Sequence, residues 1–392
     1  MKQRIQDELT RIQEQGRLRR LRPLSGRRGC RALFEGRELL NLSSNDYLGL
    51  GASYELVQEF YSSMEAENLI DRYGLGSCSS RLLTGDCEAG QRLEERLASL
   101  YQRQSALLFN SGYHANIGIV PSLLGKGDLI LSDKLNHASI HDGLNLCRAR
   151  HKRFRHRDYD HLQAILERSR QDYDRVMIIS ESVFSMDGDT ADLQRLVRIR
   201  NRFDAILYLD EAHGVGLYGD TGLGQAEEAG LLEEVDLLVG TFGKALGGLG
   251  AFVVCDRVIR ETLINRSRSL IFTTALPPVQ LSWNLFALEK IGGLKRERQR
   301  LSRLAERLRQ ALRERDLKTF GSTNIVPVIL GDDRQTVRLA ERLKENGYLI
   351  LPVRPPAVPE GTARFRLSLT ADMRWDDLRG LADCIAGDGG QA

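Results

Sequence analysis

Lys244 stands in VGTFGKALGGLG among five glycines and almost no other charge. A lysine there is either a solvated turn residue or a nucleophile. The apolar run VDLLVG before it reads as a buried strand, and the glycines around it leave room for a ligand. Asp210 closes the run AILYLD, and His213 follows three residues later in DEAHG. A carboxylate at such a turn can cap a helix. Paired with Lys244 from the following strand, it can instead keep a pyridine nitrogen protonated while the amine forms a Schiff base with a ring aldehyde. Those are the protein's two main contributions to pyridoxal phosphate chemistry.

Phosphate needs a cradle of its own. NSGYHAN places Gly112 between a strand and a helix, where free backbone N–H groups can point at an anion. Thr241 offers a hydroxyl three residues before Lys244, and Tyr113 either packs beside the phosphate or belongs to the core. His137 in LNHAS reads as a helix cap, or as an imidazole lying flat on a cofactor ring. Ser185 in SVFSMDGD is a turn residue or a further cofactor contact.

These groups need elements to hold them. Short apolar runs, SALLFN, DLILSD, RVMIIS, AILYLD, DLLVGT and GAFVVC, alternate with helical stretches, the pattern of a mostly parallel α/β sheet sandwiched by helices. Ligands of such sheets collect at the carboxyl ends of the strands, where the candidate residues fall. The division expected is an N-terminal helix and short strands over 1–47, a large cofactor-binding domain over 48–290, and a small α+β C-terminal domain over 291–392. RALFEGRELL predicts two strands around a Glu-Gly turn.

Composition excludes several classes. With 392 residues, 42% hydrophobic and 28% charged, the chain is an ordinary globular one, and 56 basic against 53 acidic side chains give too even a balance to imply nucleic acid or membrane binding. No C-x-x-C pair or His/Cys cluster suggests a metal site, so the six cysteines read as free thiols in a reducing compartment. Without a signal-peptide-like block or an apolar stretch of ~20 residues, a soluble cytoplasmic protein is expected. No G-x-x-x-x-G-K-[ST] loop is present. The basic run RARHKRFRHR, Arg148 to Arg157, reads as a solvated helical face, with docking of a polyanion as its alternative.

Taken together, NLSSNDYLGL, GSCSSRLLTG, SGYHAN, NHASIHDG, ESVFSMDGD, LDEAHGVG, GTFGKALG, FTTALPP and RPPAVPEGTARFRLSLTA resemble the α-oxoamine synthases, a family of fold-type I, aminotransferase-like pyridoxal phosphate enzymes. The resemblance implies that Lys244 holds the cofactor and acts as base, Asp210 pairs with the pyridine nitrogen, and His213 hydrogen-bonds the ring hydroxyl. It further implies that His137 stacks on the ring and that Gly112, Tyr113, Ser185 and Thr241 help hold pyridoxal 5'-phosphate. Family members are homodimers with shared active sites, so Thr273 and Thr274 would reach the partner subunit's phosphate. Asn45, Arg19 and Arg354 would line the substrate side, with Arg354 holding a carboxylate. GTFGKALG, IFTTALPP and RPPAVPEGTAR are most similar to the members that condense L-alanine with a pimeloyl thioester in biotin synthesis. The acyl donor rides on coenzyme A or, in a transient complex, on an acyl carrier protein. Glycine C-acetyltransferase and 5-aminolevulinate synthase are the nearest alternatives. Ala357 stands where many members carry threonine, which removes a hydroxyl from the expected acyl pocket.

Overall fold

Glu35 and Gly36 both take left-handed backbone, φ 49° and 76°, the geometry of a two-residue hairpin turn. In this computed structural model, which describes residues 1–387, that turn joins β2 (Arg31–Phe34) to β3 (Arg37–Asn41), with β1 (Gly26–Arg28) antiparallel to β2. The two strands and the Glu-Gly turn expected from RALFEGRELL are therefore present. The N-terminal helix spans Lys2–Glu14.

The chain divides into two compact units. The larger contains Glu55–Phe184 and Thr190–Lys295; the smaller contains Met1–Tyr54, Ser185–Asp189 and the described residues from Arg296 on.

The larger unit is built on seven strands: β4 (Ser105–Phe109), β5 (Leu129–Asp133), β6 (Arg150–Phe154), β7 (Val176–Glu181), β8 (Ile206–Asp210), β9 (Leu237–Thr241) and β10 (Ala251–Cys255). Their spatial order is β4-β10-β9-β8-β7-β5-β6. Strands β6, β5, β7, β8 and β9 run parallel, and β10 lies antiparallel to both β9 and β4. Helices cover both faces, so the central strands are buried almost throughout and read as unbroken apolar runs. Leu107, Ile130, Met177, Val239 and Val253 pack with Ala115, Ile119 and Ile140 from the covering helices. Two antiparallel steps separate β4 from β9, so the carboxyl ends of β4, β5, β7, β8 and β9 share one edge of the sheet.

The basic run is the exception, and it corrects the sequence reading. Arg150–Phe154 is a strand, not a helical face: β6 pairs only with β5, at the sheet's edge. Arg150, His151 and Arg153 are exposed while Phe154 is buried. Charged side chains on an outermost strand discourage pairing with another chain.

The smaller unit carries a three-stranded sheet of β11 (Ile325–Gly331), β14 (Ala363–Ser368) and β13 (Pro352–Val353), and β12 (Tyr348–Leu349) adds a parallel strand to β3. The charged stretch after Gly293 forms the helix Lys295–Arg313, as its periodicity predicts.

Candidate active site

β7 and β8 end side by side on two acids, Glu181 and Asp210, which are register partners. Asp210 is 5% exposed. Its Oδ2 accepts from Asn116 Nδ2 at 2.9 Å and its Oδ1 from the Ala212 N–H at 2.9 Å, which leaves each oxygen further capacity to accept. Glu181 is 3% exposed, and its Oε1 accepts the backbone N–H of His137. Burial, and then the neighbouring Asp210 charge, push the Glu181 carboxyl well above the usual carboxylate range, while Lys244 opposes the shift.

Lys244 lies in the turn after β9. That turn is held by backbone bonds from Phe242 N to Gly250 O at 3.0 Å, Gly248 N to Phe242 O at 2.8 Å and Gly247 N to Lys244 O at 2.9 Å. Trp283 Nε1 and Asn284 Nδ2, on the helix Pro278–Ile291, donate to the carbonyls of Gly247 and Leu249. The glycines here do less for a ligand than their number suggests. A Cβ at Gly240 would meet the Phe252 ring at 2.3 Å, and one at Gly248 would meet Asn284 Oδ1 at 2.2 Å. Protein, not ligand, fills the space at both positions.

His137 precedes the helix Ala138–Leu146. Its side chain is exposed, while Nδ1 lies 2.7 Å from Ser139 Oγ and accepts from the Ser139 N–H at 3.2 Å. Partial burial, and then the Lys244 charge, lower its pKa. Lys244 thus acts electrostatically on both His137 and Glu181, which places three of the predicted residues, Lys244, His137 and Asp210, in one neighbourhood.

Gly112 opens the helix Gly112–Leu123, capped by Ser111, whose Oγ accepts from the His114 N–H at 3.2 Å. Nothing lies within 4 Å of where a Gly112 Cβ would be, so the first turn is open to an anion. Asn116, which reaches Asp210, is four residues along the same helix, about 6 Å of rise. Tyr113 is half exposed and its hydroxyl donates to Asp142 at 2.7 Å. Thr241 is buried, and its hydroxyl donates to the Gly250 carbonyl at 2.9 Å and accepts the Gly243 N–H. His213 is buried in the turn that follows Asp210. Thr273 and Thr274 are tied to Asn110, whose Nδ2 reaches Thr274 O at 2.7 Å.

The remaining predicted residues belong to the smaller unit. Arg366 there donates to Asn45 Oδ1 at 3.0 Å, Tyr47 Oη at 2.9 Å, Ser368 Oγ at 2.6 Å and the Ser185 carbonyl. All four are neutral acceptors, so a guanidinium bordered by Asn45 and Ser185 keeps its charge for an anionic ligand. Arg354 donates to the Gly16 carbonyl, and Arg19 Nη2 to the Pro355 carbonyl at 3.0 Å. Burial, and then Arg19, lower the Arg354 pKa, so two like charges face each other across this segment.

Sequence reasoning did not single out Glu181, Asn116, Ser139 or Arg366. The first two carried a legible signal: Glu181 ends the apolar run VMIISE, and Asn116 is the polar residue in ANIGIV. Ser139 and Arg366 are ordinary residues until the fold shows their neighbours.

An open helix N-terminus, a buried carboxylate one turn away, an amine and an exposed imidazole together suit a pyridine ring that carries a phosphate and an aldehyde.

Residues 37–385 match the model of the aminotransferase class I and II family. The 8-amino-7-oxononanoate synthase of Chlorobaculum parvum is 50% identical over 98% of both chains. A serine palmitoyltransferase from S. paucimobilis solved with bound PLP superposes with a TM-score of 0.89 at 28% identity, covering 98% of this chain and 96% of that one. An 8-amino-7-oxononanoate synthase from Francisella tularensis gives 0.76 at 29% identity, covering 90% and 98%.

Proposed function

The chain belongs to the aminotransferase class I and II family, and from that premise we propose that it condenses L-alanine with a pimeloyl thioester, with loss of carbon dioxide, to give 8-amino-7-oxononanoate. It is a pyridoxal 5'-phosphate-dependent acyltransferase of the α-oxoamine synthase type, with a role in biotin biosynthesis. The observation that carries the finer reading is the shared neighbourhood of Lys244, His137 and Asp210 in a chain half identical to a named synthase.

Bound pyridoxal phosphate supplies an aldehyde for an amino group and a ring that takes up electrons from the substrate's Cα. Lys244 would be the amine that holds the aldehyde, and its Nζ, once freed, would take the Cα proton of the substrate. Asp210 holds a proton at the pyridine nitrogen with an oxygen already oriented by Asn116 or the Ala212 N–H. The open first turn at Gly112 would receive the phosphate, His137 would stack on the ring, and His213 would hydrogen-bond the ring hydroxyl. Arg354, which donates to the Gly16 carbonyl, and Arg366, with Asn45 beside it, are the smaller unit's two candidates to hold a substrate carboxylate. Arg19 and Arg354 remain on the acyl side, where two facing cations suit an anionic acyl group.

Two copies of the chain complete the proposal. Ile70, Leu75, Leu83 and Phe272 are 82%, 89%, 79% and 70% exposed in the larger unit, an apolar surface large for one soluble chain. Ser79 and Ala275 are joined by a backbone hydrogen bond of 2.9 Å, so these segments are neighbours and carry Thr273 and Thr274 with them. Leu83→Asp is expected to convert a dimer into monomers on light scattering and to lower activity at least tenfold. A variant that stays dimeric removes this surface from the interface.

No helix of the described residues is long and apolar enough to cross a membrane, and the six cysteines are free. Action in the cytoplasm follows as part of the proposal. Purified protein with L-alanine and a pimeloyl thioester is expected to release 8-amino-7-oxononanoate, carbon dioxide and thiol. The coenzyme A and carrier-protein thioesters, run in competition, identify the donor. Preferential turnover of glycine with acetyl-coenzyme A would overturn the substrate assignment and leave the cofactor chemistry standing.

A further inference from the structure

A buried chain of hydrogen bonds determines where His137 carries its proton. Asn116 is 2% exposed and touches Tyr208, Asp210 and Ser139. A carboxylate only accepts, so the Asn116 atom 2.9 Å from Asp210 Oδ2 is the amide nitrogen, and the amide oxygen receives the Tyr208 hydroxyl. The second amide hydrogen points at Ser139 Oγ, also 2.9 Å away. Ser139 Oγ also lies 2.7 Å from His137 Nδ1 and has a hydrogen of its own to give there. The Ser139 backbone N–H faces the same nitrogen at 3.2 Å. A backbone N–H can only donate, so Nδ1 is its acceptor and carries no proton, and the hydroxyl hydrogen can then turn to the same nitrogen.

We propose that Asn116 and Ser139 are positioning residues that couple Asp210 to His137 and hold His137 as a neutral imidazole with its hydrogen on Nε2. The inference rests on the assignment of His137 to the reacting site. In that site the neutral ring presents one donor, Nε2–H, and no full positive charge beside the Lys244 amine, which has to be unprotonated to take a proton. The charged groups facing the ring agree in sum. Lys244, from the turn after β9, disfavours the imidazolium together with burial, and these outweigh Asp210 on β8 and Asp142 on the ring's own helix. Glu181, at the end of β7, holds the His137 backbone N–H from the other side, so main chain and ring are fixed independently. Neither Asn116 nor Ser139 is assigned a contact with the cofactor; they act through Asp210 and His137.

Nitrogen NMR of protein labelled with 15N-histidine, with His137→Asn to identify the resonance, reads the tautomer directly. At neutral pH, with and without pyridoxal phosphate, Nδ1 is expected at the shift of a bare ring nitrogen and Nε2 at that of a protonated one. In Ser139→Ala one donor is lost, so the His137 titration midpoint and the acid limb of kcat/KM should both rise by about one pH unit. Ser139→Thr, which keeps the hydroxyl, should restore both. A protonated Nδ1 in the native protein overturns the proposal, as does a Ser139→Ala variant whose His137 midpoint is unmoved. If Ser139→Ala does not fold, the native spectrum alone decides. The expected tautomer in a protein that makes no 8-amino-7-oxononanoate would refute the functional reading and not this one.

Discussion

Lys244→Ala loses turnover by about 10⁴-fold or more and keeps its fold. The turn that carries Lys244 is held by backbone bonds from Phe242, Gly247 and Gly248 and by Trp283 and Asn284, none of which uses the lysine side chain. With those bonds kept, thermal midpoint and oligomeric state should stay close to the native values. In the proposed mechanism the chemistry has no substitute, because the same amine would both receive the aldehyde and remove the Cα proton. Borohydride reduction of native enzyme with pyridoxal phosphate should label one peptide, that of Lys244, and label nothing in the variant. Reduced cofactor on another lysine, or a variant that turns over within tenfold of native, ends the assignment. A lesser effect on Glu181 is also expected: removing the Lys244 cation takes away the charge that opposes its upward shift, so its carboxyl should be protonated over a wider pH range.

How much of this was legible before the fold was known depends on which physical rule each element obeys. The six buried strands of the central sheet were readable because helices cover both faces and leave mainly apolar runs, with the polar residues gathered near the strand ends. β6 was not, since an outer strand made of Arg150, His151, Lys152 and Arg153 carries no such run and owes its conformation to the backbone of β5. Tertiary pairing overrode local pattern there. At the candidate site, Lys244, Asp210 and His137 could be singled out because they follow strand ends, where ligands of such sheets collect. Ser139 and Arg366 were not, because their roles come from partners 23 and 321 residues distant, Asn116 and Asn45. Among the glycines after Lys244, Gly248 makes room for Asn284 and not for a ligand, and Gly240 before it makes room for Phe252.

Asp210→Asn should bind pyridoxal phosphate and yet lose at least about a hundredfold in kcat. An amide oxygen cannot hold a proton on the pyridine nitrogen as a carboxylate does, so the ring takes up electrons poorly at each step that needs it. The hydrogen-bond geometry adds a second cost. Asp210 now accepts from Asn116 Nδ2 on one oxygen and from the Ala212 N–H on the other. Asparagine has one acceptor, so its own NH₂ must face one of those two donors. Either Asn116 turns, and breaks its bonds to Tyr208 and Ser139, or the new amide swings away from the site. The first alternative predicts that the His137 titration moves together with kcat, because the bridge to Ser139 is lost. The second predicts that kcat falls while His137 titrates as in the native protein. Either way the cofactor stays attached through Lys244 and its phosphate, so absorbance of the bound cofactor persists with a band displaced from the native position. Near-native kcat in this variant would reduce Asp210 to a cap for the turn at Ala212, and the pairing with Lys244 from which the functional reading began would lose its meaning.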